Sequence, residues 1–225
     1  MLRDSNKIVG DAQLTVPENH SVIVLLNFVD AKISGFRNYY FSIPLPPEGE
    51  NAITYHLANY FNALLIDEND GFLPYKFNFV KNPAQSESRR ETDLGVVILS
   101  KSMPSYPIIE FEAKRLSDSS NNTEYVYGER GGIERFKKNH HGSQLKISGM
   151  LGYVQKDTVN DWFTRINGWI TEQSNITTTL LDWKNQSELL VHLASLDNVN
   201  KYSSINARVS KSSLTIYHYL IDLIN

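Results

Sequence analysis

Residues 93–116 read Asp93-Leu-Gly-Val-Val-Ile-Leu99, then a break at Lys101–Tyr106, then Pro107-Ile-Ile-Glu-Phe-Glu-Ala-Lys-Arg-Leu116. The first run is apolar and β-branched, which is typical of a strand buried on both faces. The second run alternates between apolar and charged side chains: Ile109, Phe111 and Ala113 against Glu110, Glu112 and Lys114. Two strands separated by a short break that contains a proline predict an antiparallel hairpin.

A hairpin that is symmetric about the Met103–Pro104 bond places Asp93 opposite Lys114 and diagonal to Glu112. Opposed Cβ atoms in such a pair lie about 5 Å apart and diagonal ones about 7–8 Å apart. We therefore expect two carboxylates and one ammonium group to converge at one end of the hairpin. Two carboxylates can bind Mg²⁺ or Mn²⁺, and a bound water then becomes a nucleophile that the ammonium group can orient.

The spacing of these residues resembles the core motif of the PD-(D/E)XK nuclease superfamily, because Glu112-Ala113-Lys114 begins 19 residues after Asp93. Thr92 stands where that motif usually has a proline. The resemblance implies a restriction-endonuclease-like α/β fold, a mixed sheet flanked by helices. It also implies a Mg²⁺-dependent endonuclease that acts on DNA, with RNA as the alternative substrate, with Asp93 and Glu112 as metal ligands and Lys114 as the residue that positions the water.

Three further residues are candidates beside this motif. The resemblance implies an additional glutamate on the helix ahead of the hairpin, and Glu50 is placed there by an apolar helical stripe over 48–67. Glu110 shares the strand face of Glu112 and is expected to support it. Gln155 ends an apolar strand, and related sites use a glutamine near the metal. The segments 131–136 and 149–155 also resemble nuclease-like proteins of bacterial restriction and phage-defence systems.

Basic residues concentrate in the middle third of the chain and are candidate phosphate contacts: Arg89, Arg90, Arg115, Arg130 and Lys137. Arg89 and Arg90 lie in a polar loop ahead of Asp93, and such loops often contact substrates. Arg130 precedes two glycines at a predicted helix start, where free N–H groups attract anions. An ordinary solvated loop, a tight turn or a solvated strand face with cross-strand ion pairs would explain the same residues.

The other patterns predict a single domain of residues 1–225, with a nuclease-like core at about 48–173 and extra strands at both termini. Strands are expected at 21–29, 36–43, 76–80, 125–127, 148–155, 177–183, 188–196 and 214–224. Helices are expected at 48–67, 133–141 and 158–173, and a polar loop at 197–204.

The composition limits the class of protein. The chain has 225 residues, no cysteine and a formal net charge of −3. The absence of cysteine excludes disulfides and thiolate metal sites. The lack of a signal-like start or a long apolar run favours a soluble, cytoplasmic protein without a membrane partner. The modest charge keeps open a non-catalytic nucleic-acid-binding or scaffold protein of the same fold. The resemblance also leaves open a homodimer or a partner subunit, because many restriction-like enzymes cut as dimers, although the sequence shows no dimer face.

Overall fold

The computed structural model describes residues 19–67, 73–83, 91–99, 106–117, 122–176, 181–209 and 211–225. The helices are α1 (His20–Lys32), α2 (Gly35–Ser42), α3 (Glu50–Asp67), α4 (Gly132–Lys137), α5 (Val159–Ser174) and α6 (Asn185–Glu188), with a 3₁₀ turn at Asn122–Tyr125. The strands are β1 (Phe77–Lys81), β2 (Leu94–Ile98), β3 (Ile109–Leu116), β4 (Ile147–Val154), β5 (Val191–Leu196), β6 (Val199–Arg208) and β7 (Lys211–Asp222).

The strands form one seven-stranded mixed sheet in the order β1-β2-β3-β4-β7-β6-β5. β1, β2 and β3 are antiparallel neighbours, whereas β3, β4 and β7 run parallel. β7, β6 and β5 complete the sheet as antiparallel neighbours. Helices cover both faces, so the predicted α/β class with a mixed sheet flanked by helices is confirmed.

Two hydrophobic cores lie on opposite faces of this sheet. On one face, α1, α2 and α3 pack against β3 and its neighbours through residues such as Leu25, Phe36, Leu57 and Phe111. On the other face, α4 and α5 pack through residues such as Phe136, Trp162, Met150 and Leu220. The alternation along β3 therefore decides which of its side chains faces which helical layer.

The strands predicted at 21–29 and 36–43 are wrong, because these segments form α1 and α2. Their buried residues recur at helical spacing: Val22, Leu25, Leu26 and Val29 in α1, and Phe36 and Tyr40 in α2. A continuous apolar run does not distinguish a buried helix from a buried strand, so the pattern alone was ambiguous. Among the described residues, the extra strands of the sheet lie only on the C-terminal side of the core.

The predicted polar loop at 197–204 is wrong over most of its length, because β6 begins at Val199. Two of its polar side chains, Lys201 and Ser204, are buried with partners that the sequence does not reveal. Lys201 Nζ donates to Asp30 Oδ2 at 2.6 Å, and Ser204 Oγ lies 2.8 Å from His218 Nε2. Polar residues that find tertiary partners can occupy a buried strand, which hides the strand from a hydrophobicity pattern.

Three smaller corrections concern the connections. The strand predicted at 125–127 is replaced by the 3₁₀ turn, and the helix predicted at 133–141 ends at Lys137. Of the strand predicted at 177–183, residues 181–183 form no strand and 177–180 lie outside the described residues. In contrast, the strand of 148–155 and the helix of 158–173 are confirmed as β4 and α5, and Thr158 caps α5 in a reciprocal bond with Asp161.

The hairpin register differs by two residues from the predicted one. Leu94 pairs with Phe111 and Val96 with Ile109, so Asp93 comes level with Glu112 instead of Lys114. Register depends on the geometry of the connection, which joins Ile98 to Ile109 and is longer than the predicted break. Asp93, Glu112 and Lys114 still lie together at one end of the hairpin, but the residues that face each other across the two strands differ from the predicted ones.

Candidate active site

The carboxylates of Asp93 and Glu50 bind the free edge of β3. Because β2 begins one residue after Asp93, the last residues of β3 have no strand partner on that side. Ala113 N donates to Asp93 Oδ2 at 2.7 Å, and Arg115 N donates to Glu50 Oε2 at 2.9 Å. Backbone N–H groups require acceptors, so these bonds complete the hydrogen bonding of the strand. They also fix the two carboxylates at the residues on either side of Lys114.

Glu112 points toward α4 and is the most enclosed carboxylate of the site, with 1 % of its surface exposed. Its Oε1 accepts from Lys114 Nζ at 3.0 Å and from Arg135 Nη1 at 2.6 Å. Its Oε2 lies 3.5 Å from His141 Nε2. Lys114 Nζ also lies 3.8 Å from Glu50 Oε1 and so connects the acids of the site. We call Glu50, Asp93 and Glu112 the carboxylate cluster.

The three carboxylates of the cluster influence one another, and the neighbouring cations do not neutralise all of their charge. Burial, reinforced by the charge of Glu112, raises the pKa of Asp93 to about 6. Burial also raises the pKa of Glu50 above its ordinary value, although Lys114 opposes this. Burial alone would lower the pKa of Lys114, but the charges of Glu112, Glu50 and Asp93 outweigh it and raise that pKa. Lys114 is therefore an ammonium ion at neutral pH, and the carboxylate cluster favours additional positive charge.

The donor set fits a divalent cation in an open site. Within the described part of the chain, no group of three or more His, Cys, Asp or Glu side chains is arranged to hold a metal ion. Mg²⁺, however, usually binds through one or two carboxylates and keeps several waters. The buried Glu112 Oε2 accepts no hydrogen bond from any described residue, and such an orphaned oxygen is available to a cation. Asp93 is the neighbouring acid whose pKa is raised by burial and by the charge of Glu112.

Two features hold Glu112 and its surroundings in place. Glu110 lies on the same strand face as Glu112, and its Oε2 accepts a hydrogen bond from Gly142 N at 2.7 Å. This bond fixes the turn that carries His141. Gly132 begins α4 directly over the site, where an added Cβ would lie 3.3 Å from Glu112 Cγ and 2.5 Å from Met150 Cε. The helix can approach the acid closely because that position is glycine.

The residues predicted to contact phosphate lie in different surroundings in the structure. Arg115 lies beside the carboxylate cluster, and Arg130 is exposed at the turn before α4. Lys137 is fully buried, where its ammonium bonds Glu188 and the carbonyl oxygen of Asp182, so it is not placed to contact a phosphate. Arg89 and Arg90 lie outside the described residues.

Gln155 lies away from the acids of the motif. Its Nε2 donates to the carbonyl oxygen of Glu48 at 3.2 Å, ahead of α3. The side chain lines a cavity of about 680 Å³, which we call the strand-end cavity. Arg115, Ser117 and Lys156 also line it.

Arg135 and His141 both contact Glu112. From the sequence, Arg135 is only one of several basic residues expected around the site, and the pair His140-His141 fits a solvent-facing helix end better than a metal site. Arg135 and His141 lie 23 and 29 positions after Glu112, and only the fold of α4 and the following turn returns them to it. Both also line a second cavity of about 380 Å³, together with Glu91, Glu129 and His140. The sequence signals are the positive charge of Arg135 and the adjacent pair His140-His141, and neither specifies a contact with Glu112.

Comparison of the chain with protein-family models, with curated proteins and with solved structures gave no match. None of the helices described for this chain has the length and hydropathy needed to cross a membrane. The geometry of the site is therefore the basis for assigning a function.

Proposed function

We propose that this protein is a metal-dependent nuclease that hydrolyses phosphodiester bonds in DNA. The observation that carries the proposal is the convergence of Asp93, Glu112 and Glu50 around Lys114 at the open end of the β2–β3 hairpin. The order α3, antiparallel β1–β2–β3, α4 and parallel β4 also supports the restriction-endonuclease-like core that the motif suggests.

Each residue has a role that follows from its surroundings. Asp93 and Glu112 hold Mg²⁺ or Mn²⁺, which when bound supplies a water of lowered pKa and stabilises charge on the phosphoryl oxygen. Lys114 is an ammonium ion, so it orients the attacking water or the phosphate by donating hydrogen bonds and does not act as a base. Glu50 holds Lys114 from the other side and adds negative charge to the cluster.

Incubation of the purified protein with supercoiled plasmid, linear duplex, single-stranded DNA and RNA tests this assignment. Each substrate is incubated with Mg²⁺, with Mn²⁺ or with EDTA. We expect metal-dependent cleavage of DNA that falls at least about a hundredfold in Asp93→Ala, Glu112→Ala and Lys114→Ala. Lys138→Ala is the matched control, because Lys138 pairs with Glu134 on the surface of α4. Circular dichroism of each variant shows whether it has folded.

The other outcomes are equally informative. Near-full cleavage by Lys114→Ala would remove Lys114 from the mechanism. Cleavage of RNA alone would change the substrate. If the wild-type protein neither cuts nor binds Mn²⁺, the chain is a non-catalytic binding or scaffold protein, since its carboxylate cluster then serves only the edge of β3.

A further inference from the structure

The strand-end cavity lies where the three parallel strands of the sheet stop together. Leu116 of β3 pairs with Val154 of β4, and Val154 pairs with Asp222 of β7. The residues that follow these ends line the cavity: Ser117, Gln155, Lys156 and Leu223. In open α/β sheets, ligands bind outside the carboxyl ends of parallel strands. The cavity of about 680 Å³ is within the usual size range of ligand sites.

The lining of the strand-end cavity offers more donors than acceptors. Arg115 and Lys156 supply positive charge, and Gln155 supplies an amide, against the single carboxylate of Glu48. Ser117 Oγ is buried and has no hydrogen-bond partner among the described residues. Among the described residues, the Arg115 side chain has only a long contact, 3.5 Å, from Nη1 to the Glu48 carbonyl oxygen. A planar guanidinium beside a hydroxyl suits the oxygens of a phosphate group.

The strand-end cavity is coupled to the carboxylate cluster through the backbone. Arg115 N donates to Glu50 Oε2, and the preceding residue is Lys114, whose Nζ lies 3.8 Å from Glu50 Oε1. Successive side chains of a strand point to opposite faces, so Arg115 and Lys114 extend to two sides of the same strand end. A polymer with repeated phosphates can contact both, whereas an isolated phosphate cannot.

We propose that the strand-end cavity binds the phosphodiester backbone of the DNA strand next to the bond that is cut, and that it does so without the metal. This inference rests on the proposed nuclease function for the identity of the polymer. Arg115 and Lys156 neutralise phosphates, and Ser117 and Gln155 donate hydrogen bonds to the same strand. The cavity anchors the strand, and the carboxylate cluster performs the chemistry.

Fluorescence anisotropy of a short labelled DNA strand, in EDTA and over a series of salt concentrations, tests the proposal. We expect Arg115→Ala and Lys156→Ala each to weaken binding roughly tenfold and to reduce the slope of log affinity against log salt by about one. A residue with a purely structural role would not change that slope. Arg165→Ala is the matched control, because Arg165 of α5 pairs with Asp157 and does not itself line the cavity.

Each result decides between interpretations. Unchanged affinity and slope in both variants, or no binding of DNA by the wild-type protein in EDTA, would overturn the proposal. Inorganic phosphate that displaces the DNA at comparable concentration would show a small-anion pocket and would also overturn it. DNA binding that depends on Arg115 and Lys156, without cleavage in Mg²⁺, would support the cavity while contradicting the nuclease function.

Discussion

Asp93 combines a structural and a chemical role at the scale of the single residue. Its Oδ2 accepts the Ala113 N–H at 2.7 Å and so replaces a missing strand neighbour of β3. The same carboxylate is buried beside Glu112, which keeps its pKa high. In the absence of a cation, the ionised side chain therefore destabilises the folded protein, although its position is well defined.

Asp93→Asn is expected to raise the free energy of unfolding of the metal-free protein by up to about 3 kcal/mol near pH 7.5. The folded pKa of about 6 exceeds the ordinary value of 3.8. The contribution of Asp93 to the free energy of unfolding is therefore fully present below pH 3.8 and is lost as the pH rises through 6. The gain in the variant should disappear near pH 4, because Asp93 is then protonated in the wild-type protein.

Urea denaturation in EDTA over this pH range measures the effect. Asp157→Asn is a suitable control, since Asp157 is a surface carboxylate that pairs with Arg165 at 2.7 Å. Lower stability of Asp93→Asn at pH 7.5 would contradict the expectation. It would indicate that the charge of Asp93 is needed to hold the edge of β3.

Arg135→Gln is expected to strengthen Mn²⁺ binding roughly tenfold, as measured by isothermal titration calorimetry. Arg135 Nη1 lies 2.6 Å from Glu112 Oε1 and competes with a metal ion for the negative charge of this carboxylate. The Gln side chain is uncharged, so it should compete less. Arg165→Gln should leave the affinity unchanged, and weaker Mn²⁺ binding by Arg135→Gln would show that Arg135 supports the site instead.

Local sequence explains why some of these residues were predictable. Asp93, Glu112 and Lys114 belong to adjacent strands of one hairpin, so spacing and alternation were enough to predict that they meet. Arg135 and His141 reach Glu112 through a turn and a short helix whose direction depends on tertiary packing. Nothing in the local pattern encodes that direction.

At the scale of the element, periodicity identified the amphipathic helices, but it failed for a helix with little amphipathic contrast and for a strand with polar residues in its core. α3 and α5 have one apolar face, and both were predicted. α1 is apolar around much of its circumference, so its pattern fits a strand as well as a helix. β6 was missed for the opposite reason, because Lys201, Ser204 and Asn206 are buried polar residues.

Two glycines, Gly149 in β4 and Gly168 in α5, should respond to alanine with opposite changes in stability. At Gly149, β3 and β4 pack closely. A Cβ at Gly149 would lie 2.1 Å from a ring atom of Phe111, so Gly149→Ala should lower the free energy of unfolding by about 1–3 kcal/mol. Gly168 lies within α5, where a Cβ would meet no atom within 4 Å. Gly168→Ala should raise the free energy of unfolding by about 0.5–1 kcal/mol.

Denaturant titration of the two glycine variants beside the wild-type protein checks both signs. A neutral Gly149→Ala would mean that the Phe111 ring moves aside at little cost. A destabilised Gly168→Ala would indicate that α5 has a neighbour at that position.

At the scale of the whole molecule, a buried polar chain runs through the second core and links three elements. Tyr125 Oη lies 3.1 Å from His218 Nδ1, His218 Nε2 lies 2.8 Å from Ser204 Oγ, and Asn206 Nδ2 donates to that hydroxyl at 2.7 Å. The chain connects the 3₁₀ turn, β7 and β6. Burial lowers the pKa of His218 to about 3, so this histidine is neutral in the folded protein.

This histidine should make the protein sensitive to acid. Because the folded pKa of about 3 is below the ordinary value of 6.5, its contribution to stability is complete above pH 6.5 and is lost as the pH falls toward 3. We expect a loss of roughly 1.4 kcal/mol per pH unit over that range. His218→Gln should be less stable at pH 7 but show a flatter decline, as measured by urea denaturation between pH 7 and pH 4.5. An equally steep decline would assign the acid sensitivity to other groups.

The position of β7 has a consequence for biosynthesis. β7 follows all other strands in the sequence but lies between β4 and β6 in the sheet. While the chain emerges from the ribosome, β4 therefore lacks one neighbour, and the wall of the strand-end cavity at Leu223 has not been made. Every residue of the carboxylate cluster has been synthesised by then. The nascent chain thus contains the carboxylate cluster before the strand-end cavity has all of its walls.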